Sequence, residues 1–294
     1  MKKTEVIPRK TSTRAQKICV LIPLVFLLVS YVIPILIMGI YSFWEIDYYG
    51  ELKPVWNFNQ YRQVLENSVY AKLLIKSLKT AAINCIACLC IAYPLAYIIA
   101  KTIKPKWRYA LLFLTILPSW TSFLIRTYSW VLMLGENGVI NYFLQSAGII
   151  DSPLTMAFTS GAVSVSLIQI YLPYMVMPIF NSIDKIDDRY VDAAKCLGAS
   201  WWQWFYHIIF KLSLPGIVSG SIIVLIPTIG EYVVPMILGG NSGMMYSNAV
   251  TAQFTITNWP LGAALAMILF IVIILIFALY SRIMKVEELW SSVL

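Results

Sequence analysis

"MILFIVIILIFALY", residues 267–280, is an unbroken apolar run. A strand of a membrane β-barrel would alternate apolar and polar residues with a period of two over about ten residues, and no such alternation is present. With its flanks the run extends over about 261–284. That satisfies the roughly 20 residues that a helix rising about 1.5 Å per residue needs to cross a hydrocarbon core of about 30 Å. The run therefore reads as a transmembrane helix.

Five more windows of this kind precede it, at about 18–44, 77–100, 109–134, 154–180 and 212–238. The whole chain of 294 residues is 60% hydrophobic and 12% charged, with a mean hydropathy of +0.76, far from the range of soluble domains. The expected fold class is an all-α membrane protein with six transmembrane helices. Lys2, Lys3, Arg9, Lys10, Arg14 and Lys17 precede the first window, whose apolar stretch is too long for a signal peptide and lacks a small-x-small cleavage site after it. It reads as an uncleaved span.

Lys and Arg accumulate in loops that stay in the cytoplasm. With the N-terminus inside, the cytoplasmic segments hold sixteen of them, including all four in "KTIKPKWR" at 101–108. The outer segments hold five, all between Lys53 and Lys79, and the outer loops at about 135–153 and 239–260 hold none. Both termini are therefore expected in the cytoplasm: a basic segment over 1–17, a six-span domain over 18–284, and a tail over 285–294. The net charge of +8 is accounted for by this asymmetry and the lipid bilayer it faces, and no nucleic acid is expected.

Cys85, Cys88 and Cys90 fall inside a span with no His or acid beside them, so core packing is expected and no metal site. His207, the single histidine, has no carboxylate or serine arranged with it in the sequence. Neither an HExxH motif nor a GxxxxGK[ST] phosphate loop occurs, so no catalysis is expected and energy must come from another chain.

Between the fourth and fifth windows lies the longest inner segment, "DKIDDRYVDAAKCLGASWWQWFYHIIFK". It reads as a short helix, a break at Gly198 and a second helix returning to the membrane. Ala193 and Ala194 leave room for another surface to approach the backbone, and Trp201, Trp202 and Trp204 suit the headgroup level. On these grounds a solvated loop with an aromatic anchor and a docking helix stand level.

Asp192, Ala193, Ala194, Gly198 and Ile208 follow the spacing of the EAA loop, and the chain thereby resembles the membrane subunits of binding-protein-dependent ABC importers. The resemblance implies a type I ABC importer permease fold and a coupling helix, within about 184–211, that sits on a cytosolic ATPase. Two positions depart from the pattern: the leading acid is Asp192 rather than Glu, and Lys211 stands where proline usually follows. Pro215 and Gly216 then occupy the next expected break. "LPSWTSFLIRTYSWVLMLGENGVIN", "LPYMVMPIFNSIDKID", "GEYVVPMILGG" and "NWPLGAALA" look like permeases of spermidine/putrescine importers. What this implies is a bacterial inner-membrane subunit working with two cytosolic ABC ATPases, a second permease, related or identical, and an extracellular or periplasmic polyamine-binding protein. No cofactor is implied on this chain, and ATP and Mg belong to the ATPase. A ferric complex or another small solute as cargo, or a secondary transporter without an ATPase, are the alternative readings.

Arg126 and Glu231 are the ionisable residues well inside the spans, where a charge costs at least about 2.5–3.5 kcal/mol. Counted from the starts of their outward-running spans they reach similar depth, so they are placed to meet. Two readings stand: a charge pair locking the third span to the fifth, or a pathway in which Glu231 attracts an ammonium. In the second, Trp120, Tyr128, Tyr171, Tyr174 and Tyr232 hold the cargo's alkyl stem, each adding about 0.5–2 kcal/mol of cation–π attraction. Pro227 and Pro235 flank Glu231, where an opened backbone is expected.

Overall fold

The computed structural model describes the backbone of residues 14–291 and the side chains of 21–282. The basic side chains expected to hold the N-terminus inside, together with Cys19, Lys285 and the tail, lie outside the described side chains.

The chain runs as α1 (Arg14–Tyr41), a two-stranded hairpin of β1 (Glu45–Ile46) and β2 (Leu52–Lys53), α2 (Asn59–Glu66) and α3 (Ser68–Tyr97). It continues through α4 (Pro105–Ile116), α5 (Phe123–Leu134), α6 (Val139–Ser146), α7 (Ser160–Asp184), α8 (Asp188–Cys196) and α9 (Trp201–Trp204). The remaining helices are α10 (Lys211–Ile229), α11 (Val233–Leu238), α12 (Gly240–Gly243), α13 (Tyr246–Thr255) and α14 (Trp259–Ser291). A π-helical turn, Ile98–Thr102, ends α3, and another, Phe205–Phe210, joins α9 to α10.

Among the described residues, five helical segments are long and apolar enough to span a membrane, and a sixth span is formed if the bent pair is counted as one. That pair corrects the expectation of a continuous third helix over 109–134. Pro105–Trp120 and Phe123–Ser146 meet at 85°. Pro118 has no amide to give, the chain tightens into a 3₁₀ turn at Leu117–Trp120, and Thr121 closes it by donating its amide and hydroxyl to the Pro118 carbonyl at 3.2 and 2.7 Å. The opened backbone expected at Glu231, between Pro227 and Pro235, is present in the fifth window. α10 stops at Ile229 and α11 begins at Val233, with Gly230 to Tyr232 between them. There is no break at Pro215 and Gly216, because α10 passes through both. The irregularity lies upstream, in the π turn at 205–210.

α3, α7 and α10 form the centre. α3 presents buried small residues (Ala81, Cys85, Cys88, Ala92, Ala96), a face that lets helices approach closely where lipid gives no hydrophobic drive between them. The Cys88 Sγ lies 3.7 Å from the Ile168 carbonyl of α7. α10 closes the other side with glycines: a Cβ on Gly216 would fall 2.5 Å from the Pro178 carbonyl oxygen, and one on Gly220 2.7 Å from Met175 Sδ. α13 and α14 pack over α2 and α3 around buried Tyr246, whose amide donates to Ser77 Oγ at 2.8 Å. α1 lies against α14 with no buried residue along its spanning stretch, an apolar surface suited to lipid.

Candidate functional site

The segment between α7 and α10 is built by local sequence. Asp187 caps α8 by accepting the Arg189 amide at 3.0 Å. α8 ends in a Schellman turn, in which Ala199 N–H reaches the Ala194 carbonyl at 3.0 Å and Gly198 N–H the Lys195 carbonyl at 2.9 Å. Gly198 sits at φ +84°, the left-handed region that glycine enters without penalty. Ser200 then opens α9 in a capping box with Gln203, whose Oε1 accepts the Ser200 amide at 2.7 Å.

On α8, Asp192 and Ala193 are exposed and Ala194 is half-buried, flanked by exposed Tyr190 and Leu197. Ile208 belongs to the underside, where it packs with Trp204 and Phe205 against buried Ile186, Val191 and Ile209. The segment thus has an outward small-residue face and an inward apolar one. Trp201 stacks on Phe205 at 4.9 Å, and the Lys195 ammonium stands 5.3 Å over the Trp204 ring. Trp204 is therefore held by protein contacts.

Two basic residues of "KTIKPKWR" meet this segment. Lys101 Nζ donates to Asp188 Oδ1 and to the Ile186 carbonyl, both at 2.6 Å. Arg108 Nη1 bonds Asp184 Oδ1 at 2.9 Å while its Nε donates to the Ile103 carbonyl at 3.0 Å. Sequence reasoning missed both, since it used these cations only for orientation. The available signal was a set of acids, Asp184, Asp187 and Asp188, on the same expected side.

In the spans, Glu231 sits where α10 opens. Its Oε1 accepts the amides of Tyr232, Val233 and Val234 at 3.1, 2.9 and 3.4 Å, and Oε2 accepts the Tyr171 hydroxyl at 3.2 Å. Amides left over at a helix start thus satisfy a carboxylate that would otherwise be costly in a span. Tyr174 lies beside Tyr171, ring centroids 6.5 Å apart, so three of the expected residues, Glu231, Tyr171 and Tyr174, are brought together, with Tyr232 next to Glu231 in the chain.

Arg126 does not join them. No ion pair links Arg126 and Glu231 among the described residues, and Arg126 Nε and Nη1 are buried without a hydrogen-bond partner. The expected charge pair between the third and fifth spans is corrected accordingly. Its reason is the 85° break just before α5, which voids a depth comparison based on straight helices. Trp120 and Tyr128 are well exposed, and Trp120 packs edge-on against Phe113 at 5.2 Å rather than on the acid's neighbours. Sequence reasoning also missed Asn84 of α3 and Ser166 and Gln169 of α7, which carry buried polar atoms without partners among the described residues.

The family described as "Binding-protein-dependent transport system inner membrane component" matches residues 92–285. The "Spermidine/putrescine transport system permease protein PotB" of Salmonella typhimurium (strain SL1344) is 37% identical over 274 residues, 93% of this chain and 95% of that one. Its counterpart of the same name in Escherichia coli (strain K12) is 40% identical over 242 residues, 82% of this chain and 87% of that one. Among solved structures, a chain of a bacterial ABC transporter involved in the import of alginate superposes with a TM-score of 0.71 at 15% identity, covering 91% of this chain and 94% of that one. The likeness at this identity is one of fold.

Proposed function

The chain belongs to the binding-protein-dependent transport system inner membrane component family, and from that premise we propose that it is the permease subunit of an ATP-driven importer of spermidine and putrescine. It is a multi-pass inner-membrane protein and not itself an enzyme. The observation that carries the cargo is the near full-length match to two spermidine/putrescine permeases, at 37% and 40% identity.

Both termini face the cytoplasm in this reading, which puts α8 on the ATPase side. The exposed Asp192 and Ala193, with Ala194 behind them, present a face narrow enough to enter a groove on a cytosolic ATPase subunit, and Gly198 sets the angle at which α9 returns to the membrane. Ile208 holds that return from beneath. Two ATPases, which carry ATP and Mg, a second permease and an external polyamine-binding protein complete the assembly.

Glu231 supplies the negative charge along the pathway. Its Oε1 is committed to α11, whereas Oε2 has one protein donor, Tyr171, and retains a lone pair for a passing ammonium. Tyr171, Tyr174 and Tyr232 offer ring faces to the methylene stem and the charge. One acid is a weak site for a polycation. Selection accordingly lies with the binding protein, and the permease passes cargo on.

Purification of the chain from native membranes, identification of its companions, and measurement of ATP hydrolysis with and without polyamine and binding protein test the proposal. Co-purified ATPase stimulated by spermidine or putrescine is expected. Stimulation by another solute class and not by polyamine would replace the cargo. Uptake with no ATPase present would replace the mechanism.

A further inference from the structure

α8 is joined by the chain to α7 on one side and, through α9, to α10 on the other. Movement of α8 would reach those two spans through the backbone. The second and third spans have no such link, yet side chains supply one. Lys101 leaves the end of the second span and Arg108 the first turns of the third. Together they staple the 101–108 loop to residues 184–188, where α7 ends and α8 starts.

We propose that Lys101 and Arg108 are positioning residues of the coupling step, with Lys101–Asp188 acting as a strut that carries displacement of α8 to the inner ends of the second and third spans. The inference rests on the reading of α8 as the docking helix.

The geometry of the lysine supports a fixed contact. Its side chain is only 11% exposed, and its ammonium meets two acceptors at 2.6 Å. Such charge-assisted bonds are short and directional. The stretch that delivers it is the π turn Ile98–Thr102, in which consecutive Ile99 and Ala100 are both buried and Lys101 follows. A π turn departs from the α-helical ladder that precedes it, and such turns recur at functional places. Pro94, four residues before Ile98, lies where the regular α-helix gives way to this turn.

Stability is a poor account of the same contact. Asp188 is 71% exposed, so water screens its half of the pair and the pair contributes little to folding. Beneath it, Tyr97 from the second span packs with Val191 of α8 and Ile209 of the π turn, so that the strut has an apolar footing on both sides. Arg108 and Asp184, 20% and 26% exposed, form the second and better-shielded tie. Two ties at different points along one loop resist rotation as well as separation.

The test uses the assembled transporter in membrane vesicles, with the ATPase content of each preparation measured. Lys101→Met removes the charge without stranding a cation, Asp188→Asn removes it from the exposed partner where the fold is not at risk, and Lys101→Arg keeps the ability to donate to both acceptors. Lys101→Met and Asp188→Asn are expected to leave the ATPase bound and basal hydrolysis present while lowering cargo moved per ATP by about 2- to 30-fold, the range of coupling effects from residues along such a path. Lys101→Arg is expected to retain most of the coupling. Unchanged cargo moved per ATP in Lys101→Met overturns the strut. Loss of bound ATPase in Asp188→Asn also overturns it, because the pair would then shape the docking face and transmit nothing. A wild-type preparation that holds no ATPase would instead overturn the reading of α8 on which the strut depends.

Discussion

Gly198 offers a substitution in which backbone conformation is separated from space. A Cβ built on it meets nothing within 4 Å, and its φ is +84°. Any effect of a larger side chain therefore comes from the left-handed backbone, which costs an L-residue about 1–2 kcal/mol, with β-branched residues worst and asparagine tolerated. The two hydrogen bonds of the turn, Ala199 to Ala194 and Gly198 to Lys195, exist only while residue 198 keeps this conformation. Gly198→Val is expected to reduce the population of the native turn by about 5- to 30-fold relative to its alternatives. Gly198→Ala should fall between, and Gly198→Asn should stay near wild type. The assay is the ratio of polyamine-stimulated to basal ATP hydrolysis in vesicles, beside the thermal unfolding of the solubilised protein. The stimulated ratio should fall in the order Gly, Asn, Ala, Val. Normal coupling in Gly198→Val would refute the role of the turn. If Gly198→Asn fails as badly as Gly198→Val, side-chain size rather than backbone conformation is decisive and the reasoning is wrong.

Glu231→Gln keeps an acceptor for the three amides but loses the charge, so it should slow polyamine uptake at unchanged unfolding temperature. Glu231→Ala strands those amides and should in addition destabilise by about 1–3 kcal/mol, read by thermal unfolding. Because no ion pair joins Arg126 to Glu231, adding Arg126→Gln to Glu231→Gln should not rescue uptake, and rescue would restore the paired-charge reading. Gly216→Leu should destabilise by about 1–3 kcal/mol through overpacking against Pro178 and Ser182, while Gly161→Ala, with only Thr159 Oγ1 at 3.6 Å, should unfold like wild type. For orientation, a cysteine at exposed Ser242 should react with an impermeant thiol reagent in intact cells, and exposed Cys196 only after the membrane is opened. The reverse labelling would place α8 on the wrong side for an ATPase.

The spans were legible wherever the helix is continuous, because the length of an apolar run is a property of neighbouring residues. The third window was misread for the same reason, because hydropathy does not register the 85° turn at 121–122, whereas Pro227 and Pro235 marked the gap at 230–232. Pro118 and the pair Pro227 and Pro235 were visible as punctuation, but Pro23, Pro34, Pro173, Pro178 and Pro215 sit inside helices that continue. Whether a proline ends a membrane helix depends on what surrounds the freed carbonyl.

Composition and spacing were enough for helix type, for the number of apolar windows and for the small-residue segment around Gly198, since each rests on contacts a few residues apart. Pairing is different. Lys101 with Asp188, Arg108 with Asp184, Tyr171 with Glu231, and the bare guanidinium of Arg126 all depend on the rotation and register of helices remote in sequence. A π turn or a single kink changes which side chains share a level, and those offsets arise only when the glycines of α10 and the alanines and cysteines of α3 have closed on α7.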